Sequence, residues 1–269
     1  MVTLDPRSPS GPTIVRAAAE PPGHGLAPHP ALPEYYADEA EHQRFLRRMF
    51  DDTAVDYDRI ERALAFGSGP WYRRQALLRA GLGPGQQVLD VGIGTGLVAR
   101  EALSIIGAQG SLTGVDPSPG MMKEVGLAGV TLLEGRAEAL PCADAAADFL
   151  SMGYALRHIA DVDAAFAEFR RVLRPGGRLL ILEITRPEGR FAQALLKTYM
   201  RVVVPTIARL VARQADTAVL WRYYWDTIEA CIAPAQVMDA LARAGFADVR
   251  RHVELGIFSE YQARVPLAS

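Results

Sequence analysis

The stretch VLDVGIGTGLVAR, residues 88–100, joins an apolar strand to a helix through Gly92, Gly94 and Gly96. Glycine permits a tight backbone turn, and because it has no Cβ, a ligand can approach the main chain closely. The free N–H groups at the start of the following helix then face that ligand. The pattern therefore predicts a strand–loop–helix unit whose loop binds a small molecule.

Short apolar runs alternate with amphipathic stretches on both sides of this unit. Strand–helix–strand alternation favours parallel pairing with right-handed crossovers, so we predict an α/β fold built on a doubly wound, mostly parallel sheet. The last two strands are expected to pair antiparallel. The seven predicted strands are QVLDVG, SLTGVD, VTLLEG, AADFLSM, RLLILEI, ADVRRHVEL and GIFSEYQARV.

Composition divides the chain into an extension and a domain. Residues 1–37 are rich in proline, and we expect them to form a flexible extension. Residues 38–269 are expected to form the domain, which begins with a helical cap at 38–80. After the fifth strand the α/β rhythm breaks into helical patterns over residues 186–233. We predict that this insertion is a helical lid over the carboxyl edge of the sheet, where ligands of such folds bind.

Several classes of protein are disfavoured by composition. The 269 residues are 49% hydrophobic and carry a formal net charge of -2, so nucleic acid is not an expected partner. Cys142 and Cys231 lack paired spacing, and the chain shows no cluster of His, Asp or Glu with ligand spacing. We therefore predict no disulfide framework and no metal site. Without a signal-peptide core, the expected location is cytoplasmic.

A carboxylate after the glycine loop narrows the choice of ligand. Asp116 ends the next predicted strand, where its oxygens can accept hydrogen bonds from both hydroxyls of a ribose. The dinucleotide fingerprint requires Gly or Ala at position 97, and Leu97 disfavours NAD. Adenosine is the predicted ligand moiety, and a turn of purely structural glycines is the alternative.

Further segments resemble a known family, the S-adenosylmethionine (SAM) dependent methyltransferases with a Rossmann-like fold, and within them the ubiquinone/menaquinone biosynthesis C-methyltransferases. The resemblance implies transfer of a methyl group from SAM to an electron-rich aromatic or quinol-like small molecule at carbon. It covers most of the chain beyond Arg44. The segments that carry it are MFDDTAVDYD, VLDVGIGTG, GVDPSPGMM, EGRAEALP, GYALRHIADVDAAFAEFRRVLRPGGRLLILEITRP, the pattern PTIARLVA from residue 205, and AGFADVR.

The same resemblance implies which residues form the SAM site. Asp90 is expected to support the methionine end and Asp116 the ribose, while Met121 flanks the adenine. Arg136 departs from the Asp or Asn that the family usually has there. The full set of expected SAM-binding residues is Asp90, Gly92, Gly94, Gly96, Asp116, Pro117, Met121, Arg136, Ala137, Glu138 and Gly153.

Tyr57, Arg157 and His158 are the catalytic candidates. The resemblance implies that Tyr57 and Arg157 lie on the substrate side, with Arg157 orienting or activating the substrate oxygen. Their alternatives are helix packing for Tyr57 and an ion pair with a helix carboxylate for Arg157. An unperturbed histidine titrates near neutrality, so His158 is a candidate general base, or else a solvated loop residue. The aromatic run at 223–225 either lines the acceptor pocket or forms the buried face of the inserted helix.

The sequence leaves alternatives for the activity and the partners. An O- or N-methyltransferase that tailors a secondary metabolite is one alternative, and a SAM-binding protein without transfer activity is another. A dehydrogenase of similar fold is a third. The expected partner is an aromatic or quinol-like small molecule. Peripheral membrane contact is expected if that substrate is prenylated, and a homodimer is a further expectation.

Overall fold

The structure, a computed structural model, describes residues 14–16, 25–64, 67–211 and 217–267. Its eight-stranded sheet has the order β1-β4-β3-β2-β5-β6-β8-β7, and β8 pairs antiparallel with both β6 and β7. This confirms the seven predicted strands and adds β1, a short edge strand parallel to β4. The strands are β1 Ile14–Arg16, β2 Gln87–Val91, β3 Ser111–Asp116, β4 Val130–Glu134, β5 Ala147–Gly153, β6 Leu173–Ile184, β7 Ala247–Glu254 and β8 Phe258–Arg264.

Helices cover both faces of the sheet, as expected of a doubly wound fold. The predicted cap consists of α1 and α2, and the predicted insertion contains α6 to α8. Among the described residues no helix is both long and apolar enough to cross a membrane. The helices are α1 Glu39–Leu64, α2 Gly69–Arg79, α3 Leu97–Ile106, α4 Pro119–Lys123, α5 Val162–Val172, α6 Arg190–Thr198, α7 Val204–Val211, α8 Thr217–Ala230 and α9 Pro234–Arg243.

Helical periodicity explains how these helices dock on the sheet. In α5 the buried residues Val162, Phe166 and Phe169 lie on one stripe and pack against one sheet face together with α9. Asp161 caps α5 by accepting the Ala164 N–H at 3.0 Å. The opposite face packs against α2 and α3. The two layers hold the carboxyl edge of the parallel strands in a fixed position.

The lid has a simpler structure than the sequence predicts. The two helices expected in the first part of the insertion form one rod, because a π-helical turn at Tyr199–Val203 joins α6 directly to α7. The aromatic run lies on α8. Residues of α8 such as Tyr223 share a third hydrophobic core with Met49 and Ile60 of α1. Lid and cap therefore pack on each other beside the sheet edge.

The N-terminal segment departs from the flexible extension expected up to residue 37. Residues 1–13 and 17–24 lie outside the described residues, but from residue 25 the chain packs on the domain. The Leu26 carbonyl accepts the Val162 N–H at 2.8 Å, and the Pro28 carbonyl accepts the Ile232 N–H at 2.8 Å. His29 and Tyr36 are buried. Prolines block helix but leave carbonyls free, so an extended segment can satisfy donors of the domain.

Candidate active site

One cavity of about 520 Å³ lies where the carboxyl ends of β2, β3, β4 and β5 meet. The cap helix α1 and the lid helix α8 enclose its other sides. Its volume is within the range of small-molecule sites. The residues expected at a cofactor site that line it are Gly92, Gly94, Asp116, Pro117, Met121, Arg136, Ala137, Glu138 and Gly153.

The three glycines of the loop after β2 have different roles. All have positive φ angles, of 68°, 54° and 86°, which side chains disfavour. A Cβ on Gly92 would lie 2.7 Å from the Ala155 Cβ, and one on Gly96 would lie 3.2 Å from side-chain atoms of Val125 and Leu127. A Cβ on Gly94 would meet nothing closer than the Gly92 carbonyl oxygen at 4.0 Å. Only Gly94 therefore keeps space open for a ligand, whereas Gly92 and Gly96 allow close packing.

Asp116 connects the glycine loop after β2 to the loop after β3. One of its carboxylate oxygens accepts the Gly94 N–H at 2.8 Å, and the other accepts the Ser118 N–H at 2.8 Å. Each oxygen keeps a second lone pair for a ligand hydroxyl. Burial raises the pKa of Asp116 to about 6. The carboxylate is thus charged at neutral pH and becomes protonated under mildly acidic conditions.

Asp90 lies behind the cavity wall rather than on it. Its Oδ1 accepts the Ser151 hydroxyl at 2.6 Å, which links β2 to β5. Its Oδ2 is buried and has no hydrogen-bond partner among the described residues. Burial raises the pKa of Asp90 to about 7. The residue braces the start of the glycine loop, and its second oxygen still has unused hydrogen-bonding capacity.

Helix α1 holds both ligand-facing loops in place. The Asp51 carboxylate accepts the Ser118 hydroxyl at 2.6 Å and the Gly120 N–H at 2.7 Å. Two turns further along the same helix face, the Asp58 carboxylate accepts the Thr95 hydroxyl. These contacts connect the cap to the loop after β3 and to the glycine loop. The cap thus holds both loops in place at the sheet edge.

The loop after β4 forms another wall of the cavity. The Glu138 carboxylate accepts the Ala160 N–H at 2.5 Å and lies 3.4 Å from the Arg136 guanidinium. Arg136 also lies 3.9 Å from Glu39 of α1. Glu138 thus fixes the entry to α5, and Arg136 lies between the loop and the cap.

Aromatic side chains dominate the far side of the cavity. The Tyr57 and Tyr224 hydroxyls are hydrogen-bonded at 2.7 Å, and both residues line the wall. The His158 ring lies 5.3 Å from Phe50 and 5.5 Å from Tyr224 between ring centroids. Both His158 ring nitrogens are buried and have no hydrogen-bond partner among the described residues.

The protonation states of these side chains follow from their surroundings. Burial, together with the positive charge of Arg157, holds the pKa of His158 well below its usual value. Burial raises the pKa of Tyr57 well above its usual value. At neutral pH this part of the cavity therefore presents a neutral imidazole and neutral phenol groups.

Arg157 is not on the cavity wall. Its guanidinium is fully buried in an ion pair with Glu183 of β6. The Tyr224 ring lies 4.4 Å from the guanidinium carbon, within cation–π range. Burial raises the pKa of Glu183, and the Arg157 charge opposes that rise. Arg157 therefore packs on the side of the Tyr224 ring that faces away from the cavity.

A family model described as the ubiE/COQ5 methyltransferase family matches residues 37–262. A demethylmenaquinone methyltransferase of Mycolicibacterium paratuberculosis is 33% identical over 231 residues, which are 86% of this chain and 98% of that protein. A ubiquinone/menaquinone biosynthesis C-methyltransferase UbiE of Syntrophotalea carbinolica is 34% identical over 224 residues, which are 80% of this chain and 92% of that protein.

The chain belongs to the ubiE/COQ5 methyltransferase family. It is therefore a SAM-dependent methyltransferase. Its fold is also that of a solved SAM-dependent methyltransferase of Thermotoga maritima, described as a possible histamine N-methyltransferase, with a TM-score of 0.57 and 22% identity. That alignment covers 81% of this chain and 99% of the other. At this level of identity the likeness concerns the fold alone.

The methyltransferase brings most of its predicted site residues together. Tyr57 and His158 reach the cavity, and His158 is packed among aromatic rings rather than solvated. Asp90, Gly96 and Arg157 do not line it. The ion-pair alternative for Arg157 matches the structure, except that the carboxylate belongs to a strand. Of the aromatic run, Tyr224 lines the cavity, whereas Tyr223 and Trp225 are buried elsewhere in the lid.

Helix α1 contributes more to the methyltransferase site than Tyr57, the one residue of this helix that the sequence predicted there. Arg44, Arg47 and Phe50 line the cavity, and Asp51 and Asp58 bind its loops. A signal was present, because the two aspartates lie seven residues apart and so share one helix face. The segment MFDDTAVDYD contains both. Tertiary packing was needed to show which loops they meet.

Proposed function

We propose that this methyltransferase transfers the methyl group of SAM to a carbon atom of a quinol-like aromatic acceptor. The observation that carries the proposal is the aromatic end of the cavity, where Phe50, Tyr57, His158 and Tyr224 surround space continuous with the glycine loop. Flat aromatic walls suit a flat ring. The names of the two relatives, both methyltransferases of quinone biosynthesis, agree with this chemistry.

The residues at the glycine-loop end fit SAM. Gly94 leaves a space that a Cβ would fill, and Asp116 has lone pairs available for two ribose hydroxyls. We propose that Met121 and Ala137 flank the adenine, beside Pro117, Arg136 and Glu138. Asp90 would support the methionine end indirectly, since it braces the loop from behind the wall.

The protein contributes to the reaction by aligning the acceptor with the methyl group and by accepting a proton from the acceptor. When bound, SAM supplies a methyl group on a positively charged sulfur, so the protein must hold an electron-rich carbon in line with it. We propose that the aromatic walls orient the acceptor ring and exclude water. The neutral His158 ring can accept a hydrogen bond from an acceptor hydroxyl at a ring nitrogen, and it can take that proton as methyl transfer makes the hydroxyl more acidic. The adjacent ring carbon becomes more nucleophilic as the proton leaves the oxygen. After the methyl group is attached, that carbon loses its own hydrogen as a proton, which restores the aromatic ring and reprotonates the oxygen.

Tyr224 is the group through which Arg157 would influence the acceptor. Its hydroxyl lies at the cavity and its ring lies over the guanidinium. We propose that the Tyr57–Tyr224 pair donates a hydrogen bond to the acceptor oxygen. Arg157 is then a positioning residue, because its charge is separated from the cavity by the Tyr224 ring.

Product analysis tests the proposal. The enzyme is incubated with isotopically labelled SAM and a panel of a hydroquinone, a phenol and an amine, and the product's mass and methylated position are determined. Methylation at a ring carbon of the hydroquinone is expected. A product methylated only at oxygen or nitrogen would replace the proposal with the O- or N-methyltransferase alternative, and SAM binding without any product would indicate a protein that binds but does not transfer.

A pair of neighbouring tyrosines provides a matched test of the site. Tyr224→Phe should lower kcat by about tenfold or more without changing SAM affinity, since it removes a hydroxyl at the cavity. Tyr223→Phe removes a hydroxyl that instead bonds His42 at 3.1 Å, away from the cavity. It should leave kcat near the wild-type value. Equal effects of both changes would show that the hydroxyl at the cavity has no special role.

A prenylated acceptor would reside in a lipid phase, and we propose peripheral membrane contact for that reason. Cys142 and Cys231 are free thiols, in keeping with the proposed cytoplasmic location. A homodimer is also proposed, and measurement of molar mass by light scattering tests it.

A further inference from the structure

The rod formed by α6, the π-helical turn and α7 has two unlike faces. Its inner side packs into the core shared by lid and cap through Leu196, Met200, Val204 and Ala208. Its outer side carries large apolar residues in contact with solvent, which we call the outer lid stripe. The stripe consists of Phe191 at 84%, Leu195 at 63%, Val202 at 58% and Leu210 at 81% exposed.

Such exposure is unusual on a surface helix. The solvent-facing side of an amphipathic helix normally carries polar residues, because each exposed apolar side chain forfeits the free energy that burial would provide. Single exposed apolar residues need no explanation, whereas a row of four along one rod indicates contact with an apolar phase or a partner.

The charge of the residues around the stripe indicates which occupant it contacts, a lipid surface or a partner protein. Residues 186–211 contain five Arg or Lys and one acidic residue, in a chain whose net charge is -2. At the start of the rod a cavity of about 250 Å³ is lined by three basic residues, Arg186, Arg190 and Lys197, and by one acidic residue, Glu229. Lys197 is paired with Glu229 at 2.9 Å, but Arg186 and Arg190 are exposed and have no ion pair among the described residues. Two uncompensated guanidinium groups therefore border the stripe.

We propose that the outer lid stripe and its flanking arginines dock the enzyme on an anionic membrane surface. A basic helix with an apolar face binds at the lipid–water interface through both burial and attraction to anionic headgroups. Two copies of this chain related by a twofold axis would instead bring like-charged arginines towards each other. The phosphodiester of a lipid headgroup matches the cavity at Arg186 and Arg190 in charge.

The position of the stripe gives docking a purpose. The same lid contributes Tyr224 to the cavity through α8, which packs directly on the rod. The role given to docking rests on the proposed function, since docking would allow a prenylated acceptor to reach the cavity from the bilayer. The docking itself requires neither SAM nor acceptor.

Vesicle sedimentation of the full-length protein tests the inference without substrate. We expect binding to phosphatidylglycerol vesicles, much weaker binding to phosphatidylcholine vesicles, and weakening with salt. Phe191→Ser should lower the partition coefficient by about tenfold or more, and Arg190→Glu by more than about fivefold. Both residues are exposed, so circular dichroism and melting temperature should be unchanged.

Matched controls separate the stripe from general surface effects. Leu255→Ser alters an equally exposed residue, at 79%, in the turn between β7 and β8, and Lys123→Glu reverses an exposed charge on α4. Both should leave vesicle binding unchanged. Losses in the controls as large as those of the stripe variants would overturn the proposal.

Other outcomes of the same experiment also decide against it. Wild-type protein that remains in the supernatant with anionic vesicles refutes docking, even if inorganic phosphate binds near Arg190. A dimer that Phe191→Ser converts to a monomer with unchanged vesicle binding would assign the stripe to an interface between copies. Methylation of an amine by a protein that still binds vesicles would refute the proposed function and leave docking intact.

Discussion

Replacement of Arg157 by leucine should destabilise the enzyme because it leaves a charge without a partner. Arg157 and Glu183 are both fully buried, and each is the other's ion-pair partner. Removal of one member of a buried pair costs about 3–5 kcal/mol, mainly from the desolvated group that remains. We therefore expect Arg157→Leu to lower the free energy of unfolding by that amount near neutral pH.

The loss should depend on pH in a defined direction. Burial already raises the pKa of Glu183, and removal of the Arg157 charge should raise it further above the unfolded value. Between those two pKa values the folded state binds a proton that the unfolded state has released. The stability of the variant then falls by up to about 1.4 kcal/mol for each unit of pH increase. The variant should thus be closest to wild type near pH 5.

Denaturant unfolding of both proteins at pH 5 and pH 8, without SAM, measures this difference. The double variant Arg157→Leu/Glu183→Leu should recover much of the loss, since replacement of a whole buried pair by apolar residues is often neutral. Its kcat then reports the positioning role of Arg157 separately from folding. A loss below about 1 kcal/mol in Arg157→Leu, or one equal at both pH values, would refute the reasoning.

Three further predictions concern the cofactor end and the N-terminal segment. Gly94→Val should abolish SAM binding, as measured by calorimetry. The control Gly85→Val changes another glycine with positive φ and no atom near its Cβ, and it should retain SAM binding. SAM binding by a folded Gly94→Val variant would show that the glycine loop is not part of the SAM site. SAM affinity should fall as pH drops through about 6, where Asp116 becomes protonated, and Asp116→Asn should lose both affinity and this pH dependence. Deletion of residues 1–33 should lower Tm by at least about 4 °C, because it removes the carbonyls that bond α5 and Ile232; an unchanged Tm would favour a flexible extension.

Local sequence patterns were sufficient to predict most of the fold. The glycine loop, the apolar runs and the stripe on α5 depend on residues close together in sequence, and backbone geometry converts them directly into strands, turns and helix faces. Asp116 was assigned to its strand end in the same way. The helical cap and the inserted lid followed from a change of periodicity at 38–80 and 186–233.

Contacts between distant segments could not be predicted in this way. Arg157 could either face the cavity or form an ion pair with a buried carboxylate. Its role therefore depended on its contact with Glu183, which is 26 residues away in the sequence. The Tyr57–Tyr224 pair joins residues 167 apart, and Asp51 meets Ser118 across 67. Periodicity specifies the face of an element but not the partner that covers it.

The sequence by itself determined the order of the seven predicted strands along the chain and the positions of the loop glycines and Asp116, because these follow from steric rules acting over a few residues. Only the tertiary structure decided that Tyr224 faces the cavity while Tyr223 does not, and that Arg157 is withdrawn behind it. The physical reason is that burial and pairing depend on long-range packing, where small changes in helix orientation exchange one neighbouring side chain for the next.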